Sequence, residues 1–422
     1  MSKTKQRTLI IMCWLLYVAA YLGRYSYNSN ILPMSIHYSA SDTAMGLATS
    51  FFFFAYGAGQ IVNGLLCRYY NVKYVLSGAL FISAVINGVI FLGIIPFALI
   101  KVLWLFNGVA QSVLWSSLLM VLSRNLDENY IKKAIIAMST TASVGVLLAY
   151  GLSALFALFN GFRFSFLAGA LVMTVAAALW IILYDNITEK QVIVTETASE
   201  NVKQKTDKSV VKILVIFGMF AIIINLIKDG LSTWVPKILF DTFSLSESLS
   251  ILLTLLVPIL TVFGTTLVVM LNKKVKDYTA LIAILFSVAS IFVGIILICL
   301  KTPFWGIVLA AFGLISLLMS GANNVVTSIL PLSLRDKANS GFLAGILNGC
   351  CYVGSTFSSV GLGAISDYYG EWTPVFNLLL YLTIAVVVIA VVVMVVNMIK
   401  NRKKEVVNTE ISTEAKPNEE NS

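Results

Sequence analysis

Charge is scarce in this chain. Of its 422 residues only 12% are Asp, Glu, Lys or Arg, where soluble domains carry roughly 25%. Histidine is scarcer still. His37 is the single one, which leaves no basis for a His-based triad or a multi-histidine metal centre. The five cysteines, Cys13, Cys67, Cys299, Cys350 and Cys351, lie in or at the ends of apolar runs and form no secreted disulfide framework. The glycine-rich P-loop pattern ending in Gly-Lys-Ser/Thr does not occur, so ATP hydrolysis is not indicated. The polar segments are too short for a separate catalytic domain. The expectation is a protein that is not an enzyme and needs no cofactor or metal.

What the chain has is apolar length. It is 59% apolar, with a mean hydropathy of +0.90. Runs of about 20 such residues read as transmembrane helices. Twelve are expected, near 8–36, 45–66, 74–94, 97–122, 132–159, 163–184, 212–236, 247–271, 278–300, 303–330, 339–366 and 373–399. Barrel strands would alternate in polarity over about ten residues, and these runs do not. The first span follows basic residues and is too long for a cleavable signal peptide, so it is expected to stay in the mature protein.

With the N-terminus assigned to the cytoplasm, 23 of the 29 Lys and Arg residues fall on cytoplasmic segments and 4 on the outer ends; Arg24 and Lys228 complete the count. This asymmetry predicts a multi-pass protein of the inner (plasma) membrane with both termini cytoplasmic. The net charge of +9 then belongs to loops beside anionic lipid and implies no nucleic-acid partner.

The longest polar stretch, 186–211, has no Gly or Pro and divides the chain into six spans and six. The fold class expected is an all-α membrane protein, its twelve helices in two pseudo-symmetric halves, 1–185 and 212–400. The stretch 186–211 is a cytoplasmic linker, and the polar segment 401–422 a disordered tail. The halves look like weak repeats. Arg24 is followed by Pro33 and Lys228 by Pro236; then come Ser41-Asp42 and Ser246-Glu247, which fit as helix N-caps.

Arg24 and Lys228 are the informative residues. Each lies 16 or 17 residues past the preceding basic residue, Arg7 or Lys212. A charge that deep costs at least about 2.5–3.5 kcal/mol on insertion scales. Two cations at equivalent depth predict a shared anion site. Tyr17, Tyr21 and Arg24 share a helical face, where a guanidinium fork and phenol hydroxyls can hold an oxyanion. Asp229 follows Lys228 directly and is expected either as a counter-charge or as a protonatable coupling group, although adjacent helical residues do not face each other well. Tyr56 and Gln60 share a face of the second span, beside Gly57 and Gly59, which permit close helix approach. Asn107, Gln111 and Trp115 form a stripe expected to face a pore.

In order along the chain, YLGR, YGAGQ, FNGVAQSVLW, KDGLSTWVP and YVGS followed by SDYYGEW resemble the organophosphate:phosphate antiporter family of the major facilitator superfamily. The resemblance covers most of the chain. It implies that Arg24 and Lys228 are paired phosphate-binding cations and that Tyr17, Tyr21 and Tyr56 are site tyrosines. It also implies that Trp115 and Tyr352 are aromatic residues of the central cavity. Gln60 stands where bacterial members typically have a lysine, Ala142 where the glycerol-phosphate branch has a histidine, and Cys67 where the superfamily's loop motif has an acid. The expected function is secondary transport of a small anion, most simply a phosphate ester exchanged for inorganic phosphate by a monomer. A proton-coupled organic-anion symporter, a drug exporter and a sugar-phosphate sensor of the same fold are the alternatives.

Overall fold

The computed structural model describes residues 1–66, 69–188, 208–334 and 340–414, and every regular element among them is helical. The first span is α1 (Lys3–Asn28) and α2 (Ile31–Tyr38). Its break at Ser29–Asn30 lies four residues ahead of Pro33, whose ring lacks an N–H and crowds the carbonyl of Ser29. Side chains support the break. Asn30 Nδ2 donates to the Ser26 carbonyl and to Ser153 Oγ, both at 2.7 Å, and the Ser29 and Ser153 hydroxyls are 2.7 Å apart.

The first half continues with α3 (Asp42–Leu66), α4 (Val72–Leu92), the broken span α5 (Phe97–Gln111) and α6 (Leu114–Asn125), α7 (Glu128–Ala157) and α8 (Arg163–Ile187). The second half opens on α9 (Lys208–Phe243) and the interrupted span α10 (Glu247–Thr254), α11 (Leu256–Thr261) and α12 (Gly264–Lys274). It then runs through α13 (Tyr278–Cys299), α14 (Trp305–Asn324), a π-helical turn over Val325–Ile329, α15 (Leu330–Ser333), α16 (Ser340–Tyr369) and α17 (Thr373–Glu414).

Eleven spans among the described residues are long and apolar enough to cross a membrane. The twelfth expected span is α16. Its 30 residues reach about 45 Å at 1.5 Å per residue, but glycines and serines dilute its apolarity. Residues 189–207, most of the expected linker, lie outside the described residues, as do 415–422. The helix α17 runs through the polar sequence to Glu414; between Pro374 in its first turn and Pro417 the sequence has no Gly or Pro.

Pro236 sits inside α9 without ending it. The carbonyl it leaves without a helical partner is that of Ser232, four residues back, and the Tyr150 hydroxyl donates to it at 2.6 Å. The matched prolines thus act alike in sequence and differently in structure. One breaks its span, while the other is spliced by a phenol from the opposite half.

Within the first half α1 packs on α7 and α8, and α4 on α8; within the second, α13 packs on α14 and α17. The halves meet chiefly where α3 lies along α16, and also where α7 meets α10. One end of the bundle carries the clustered basic residues, such as Lys3, Lys5, Arg7, Lys132 and Lys133; it is called the basic end below. At the other end the halves are joined closely. Lys237 of α9 is 3.4 Å from Asp42 of α3 and 3.0 Å from Asp241 of its own helix. The Trp372 indole donates to Asp241 at 3.1 Å. Asp367 of α16 accepts the backbone N–H groups of Asp42 at 2.9 Å and Thr43 at 2.7 Å, and the Thr43 hydroxyl as well. One half therefore supplies a carboxylate cap to a helix of the other. Ser41 and Ser246 do cap their helices, accepting from Ala44 at 3.3 Å and Leu249 at 3.4 Å. Asp42 does not cap; its carboxylate is committed to Lys237.

Deeper in the same seam a Cβ on Gly46 would collide with the Ser359 carbonyl, and one on Gly363 with the Asp42 carbonyl. Backbone lies against backbone there, an approach only glycine permits. Ser50 Oγ donates to the Thr356 carbonyl and accepts from the Val360 N–H at 3.1 Å. Asn28 Nδ2 donates to Thr233 Oγ1 at 3.1 Å, and Ser248 Oγ to the Ala154 carbonyl at 3.1 Å.

Candidate functional site

Between the halves lies a chamber of about 630 Å³, within the range of small-molecule sites. Arg24 enters from α1 and Lys228 from α9. The walls extend toward the basic end past Ser116, Ser139, Ala344 and Gly345. The two intramembrane cations do line one cavity, as their matched depth predicts.

Arg24 is 6% exposed. Its guanidinium carbon lies 4.2 Å from the centre of the Tyr56 ring, 4.6 Å from Tyr21 and 5.1 Å from Phe52. Each such contact contributes about 0.5–2 kcal/mol, so the aromatic cage offsets a large part of the cost of burying the charge. Nε donates to Gln111 Oε1 at 3.1 Å, and Gln111 donates in turn to Asn107 Oδ1 at 3.3 Å. Nη2 is buried with no partner. A cation held from behind with one free donor is arranged to receive an acceptor from the chamber.

Tyr17, Tyr21, Gln60, Trp115 and Tyr352 line the chamber with Arg24. Trp115 packs on Tyr17 with ring centres 5.1 Å apart. Tyr56 differs from its expected place. It is fully buried and stands behind Arg24, where its hydroxyl is 3.2 Å from that of Tyr17 and accepts from Gln60 Nε2 at 3.0 Å. Gln60 Oε1 accepts from Asn348 of α16 at 2.9 Å. A polar chain thus runs from one half to the other through Asn348, Gln60, Tyr56 and Tyr17. Asn107 and Gln111 also differ. Both are fully buried and hold Arg24 from behind rather than facing a pore. Gly57 faces Tyr352 across the seam and Gly59 faces Ser112, as close packing requires. Ala142 lies on the chamber wall.

Lys228 is 26% exposed and its nitrogen is 3.4 Å from Asp229 Oδ1. Adjacency on the helix does not keep them apart, because the four-carbon lysine stem curls back to the carboxylate. Nζ also donates to Asn225 Oδ1 at 3.0 Å. The other Asp229 oxygen accepts a short hydrogen bond from Ser355 of α16.

Sequence reasoning passed over the remainder of the second half's wall. Asn225 donates to Asn323 Oδ1 at 2.9 Å, and Cys351 Sγ approaches the same oxygen at 3.4 Å. Asn323, Thr327 and Ser328 reach the chamber from α14 and the π-turn. An available signal was the pair Asn323-Asn324, polar residues inside an apolar run. Asn225, one helical turn before Lys228, was another.

The Major Facilitator Superfamily model matches residues 13–357, more than half the chain. Solved structures of similar fold include a bacterial homologue of the human lysosomal transporter Spinster in an inward-facing, occupied conformation. It is 16% identical with a TM-score of 0.68, and the match covers 92% of this chain and 96% of that one. A D-xylose-proton symporter is 16% identical with a TM-score of 0.72 and coverage of 92% and 97%. The nucleoside transporter NupG is 11% identical with a TM-score of 0.69 and coverage of 92% and 98%. A comparison with curated protein sequences gave no match. Two six-span halves around a central chamber, together with the match along most of its length, establish that the chain belongs to the Major Facilitator Superfamily.

Proposed function

We propose that the protein is a secondary transporter of a small anion, in the simplest case a phosphate ester exchanged for inorganic phosphate by alternating access. The observation that carries this reading is the joint presence of Arg24 and Lys228 in one chamber between the halves, with Arg24 Nη2 unpartnered. Inversion of the positive-inside asymmetry would be costly, so the basic end is assigned to the cytoplasm of a plasma membrane. The chamber then faces inward, and the joined end is the outer seal. Rocking of the halves about the site would expose it to the other side. The protein is taken to act as a monomer, since each chain contains a whole chamber.

Arg24 and Lys228 bind the anion on this reading, with Tyr17, Tyr21, Gln60, Trp115 and Tyr352 around it. Tyr56 keeps Arg24 and Gln60 in place, and Asp229 serves as the fixed counter-charge of Lys228. A second reading, proton-coupled transport, is favoured by one observation: Asp229 is a buried carboxylate at the site. Both are tested by uptake of labelled phosphate into proteoliposomes loaded with phosphate at equal pH. Exchange under those conditions, retained in Asp229→Asn and abolished in Arg24→Ala, supports antiport. Silence until a proton gradient is imposed replaces it with the proton-coupled reading.

A further inference from the structure

Among the described lining residues the chamber holds two basic side chains, Arg24 and Lys228, and one acidic side chain, Asp229. Their charges sum to one positive unit. That unit is not shared evenly. Lys228 and Asp229 form a closed pair at 3.4 Å, with Asn225 on the ammonium and Ser355 on the carboxylate. Arg24 has no carboxylate partner. Its Nε meets the neutral Gln111, its face meets Tyr56, Tyr21 and Phe52, and Nη2 meets nothing. The surplus charge of the site is therefore the charge of Arg24.

A site that seals around its cargo removes it from water, and net charge is what makes that step costly in a low-dielectric interior. Loaded with a monoanion, this chamber is neutral. Loaded with a dianion, it keeps one uncompensated negative charge. We infer that the chamber is built for a singly charged anion and that Asp229 sets that number by cancelling Lys228. This rests on the anion-carrier reading and adds the charge state of the cargo. For a phosphate or phosphate ester the cargo is the form that keeps one proton. Its P–OH is a donor for which Asn225 Oδ1, which accepts from Lys228, has a lone pair to offer on the second half's wall.

Asp229 is faced by Lys228 on its own helix, by Cys351, Tyr352 and Ser355 of α16, and by Tyr25 of α1; Tyr21 and Arg24 line the same chamber. No histidine and no second carboxylate lines the chamber among the described residues. The titration of binding expected on this reading between about pH 6 and pH 8 is that of the ligand, whose second ionisation falls near neutrality.

The test is binding to the purified full-length protein by calorimetry, with thermal melts as the folding control. The probes are methanesulfonate, which carries one charge at every pH used, sulfate, which carries two, and inorganic phosphate. Wild type is expected to bind methanesulfonate at least about tenfold more tightly than sulfate, and to lose about tenfold in phosphate affinity from about pH 6 to pH 8 as the monoanion is depleted. Asp229→Asn raises the surplus to two units and is expected to reverse the preference. Gln60→Glu is a second, gentler variant. Its carboxylate can still accept from Asn348 and take the Tyr56 hydroxyl, while the surplus falls to zero and both anions are expected to weaken at least about tenfold, as loss of a charge-assisted partner implies. A wild type that prefers sulfate, with binding abolished by Arg24→Ala, overturns the charge count and leaves the carrier reading standing. A preference unchanged in a folded Asp229→Asn, or affinities for both anions unchanged in a folded Gln60→Glu, overturns it too. Failure of wild type to bind any of the three probes overturns both.

Discussion

Asp367→Ala should unseal the joined end without touching the chamber. In the sealed state the carboxylate accepts two first-turn N–H groups of α3, at 2.9 Å and 2.7 Å, and the Thr43 hydroxyl. Those bonds cross between the halves, so the open state loses them. Replacing a capping carboxylate by alanine costs about 0.5–2 kcal/mol, and the exposed setting of Asp367 places this case near 1 kcal/mol. A shift of that size raises the ratio of open to sealed molecules at this end about fivefold. The assay is a spin-label distance measurement between Ile94→Cys and Lys301→Cys, exposed positions at the sealed end of the two halves, in a background without native cysteines. A longer-distance population should grow severalfold in Asp367→Ala and far less in Asp367→Asn, since Asn caps nearly as well. The Asp367 cap itself should also be indifferent to pH over the physiological range. Burial alone would raise the Asp367 pKa, but the hydrogen bonds from Thr43 and Asp42 outweigh it and hold the carboxyl below its usual value. A depressed pKa contributes stability that is present above the ordinary carboxylate value of about 3.9 and lost only as pH falls through the lower, sealed-state value. Identical distance distributions in wild type and Asp367→Ala, or a seal that opens between about pH 8 and pH 5 through this residue, would refute the reasoning.

Lys237→Met should open the same end further. It strands Asp42, whose side chain is 8% exposed, beside Asp241, and one-sided removal from a buried pair costs about 3–5 kcal/mol, less here because Lys237 keeps some solvent. The spin-label pair reads this directly. Arg24→Lys should weaken phosphate binding at least about tenfold with an unchanged melting temperature, because an ammonium reproduces neither the fork nor the stacked planar cation; calorimetry decides it. Gln111→Leu should weaken binding severalfold while leaving the ratio of methanesulfonate to sulfate affinity intact, since it frees Arg24 Nε without altering the charge count. Tyr150→Phe should cost about 0.5–1.5 kcal/mol of stability by exposing the Ser232 carbonyl that Pro236 leaves unpaired, seen as a lowered melting temperature.

Much of this architecture is legible in sequence because a bilayer imposes length and hydropathy on every span. Arg24 and Lys228 stand out for the same reason: a charge in a long apolar run is conspicuous by its cost. The face shared by Tyr17, Tyr21 and Arg24 follows from helical periodicity alone. Tyr56, Asn107 and Gln111 were harder to place, because a polar residue facing a cavity and one facing a cation behind the wall occupy the same register. The ion pair of Lys228 with Asp229 depends on side-chain reach, which spacing rules for helix faces do not contain. The π-turn at Val325–Ile329 is set by tertiary packing and leaves no periodic mark. The cap that Asp367 places on α3 joins residues 325 positions apart, and no local rule points to it.

The glycine seam at the joined end bears on leakage. Where Gly46 meets Ser359 and Gly363 meets Asp42, backbone of α3 lies against backbone of α16, and no side chain at those points could open the seam by swinging aside. Water or a small ion cannot pass by the flip of one rotamer, because the groups to be moved belong to two helix backbones. Parting them releases the Asp367 cap, the Ser50 bonds and the Lys237 bridge together. Opening is then all-or-none, and the intermediate that would let an uncoupled ion slip through has no favourable contacts of its own. On the carrier reading, tight stoichiometry is a property of backbone packing far from Arg24 and Lys228. A single methyl group added at position 46 or 363 should show as slippage before it shows as lost affinity.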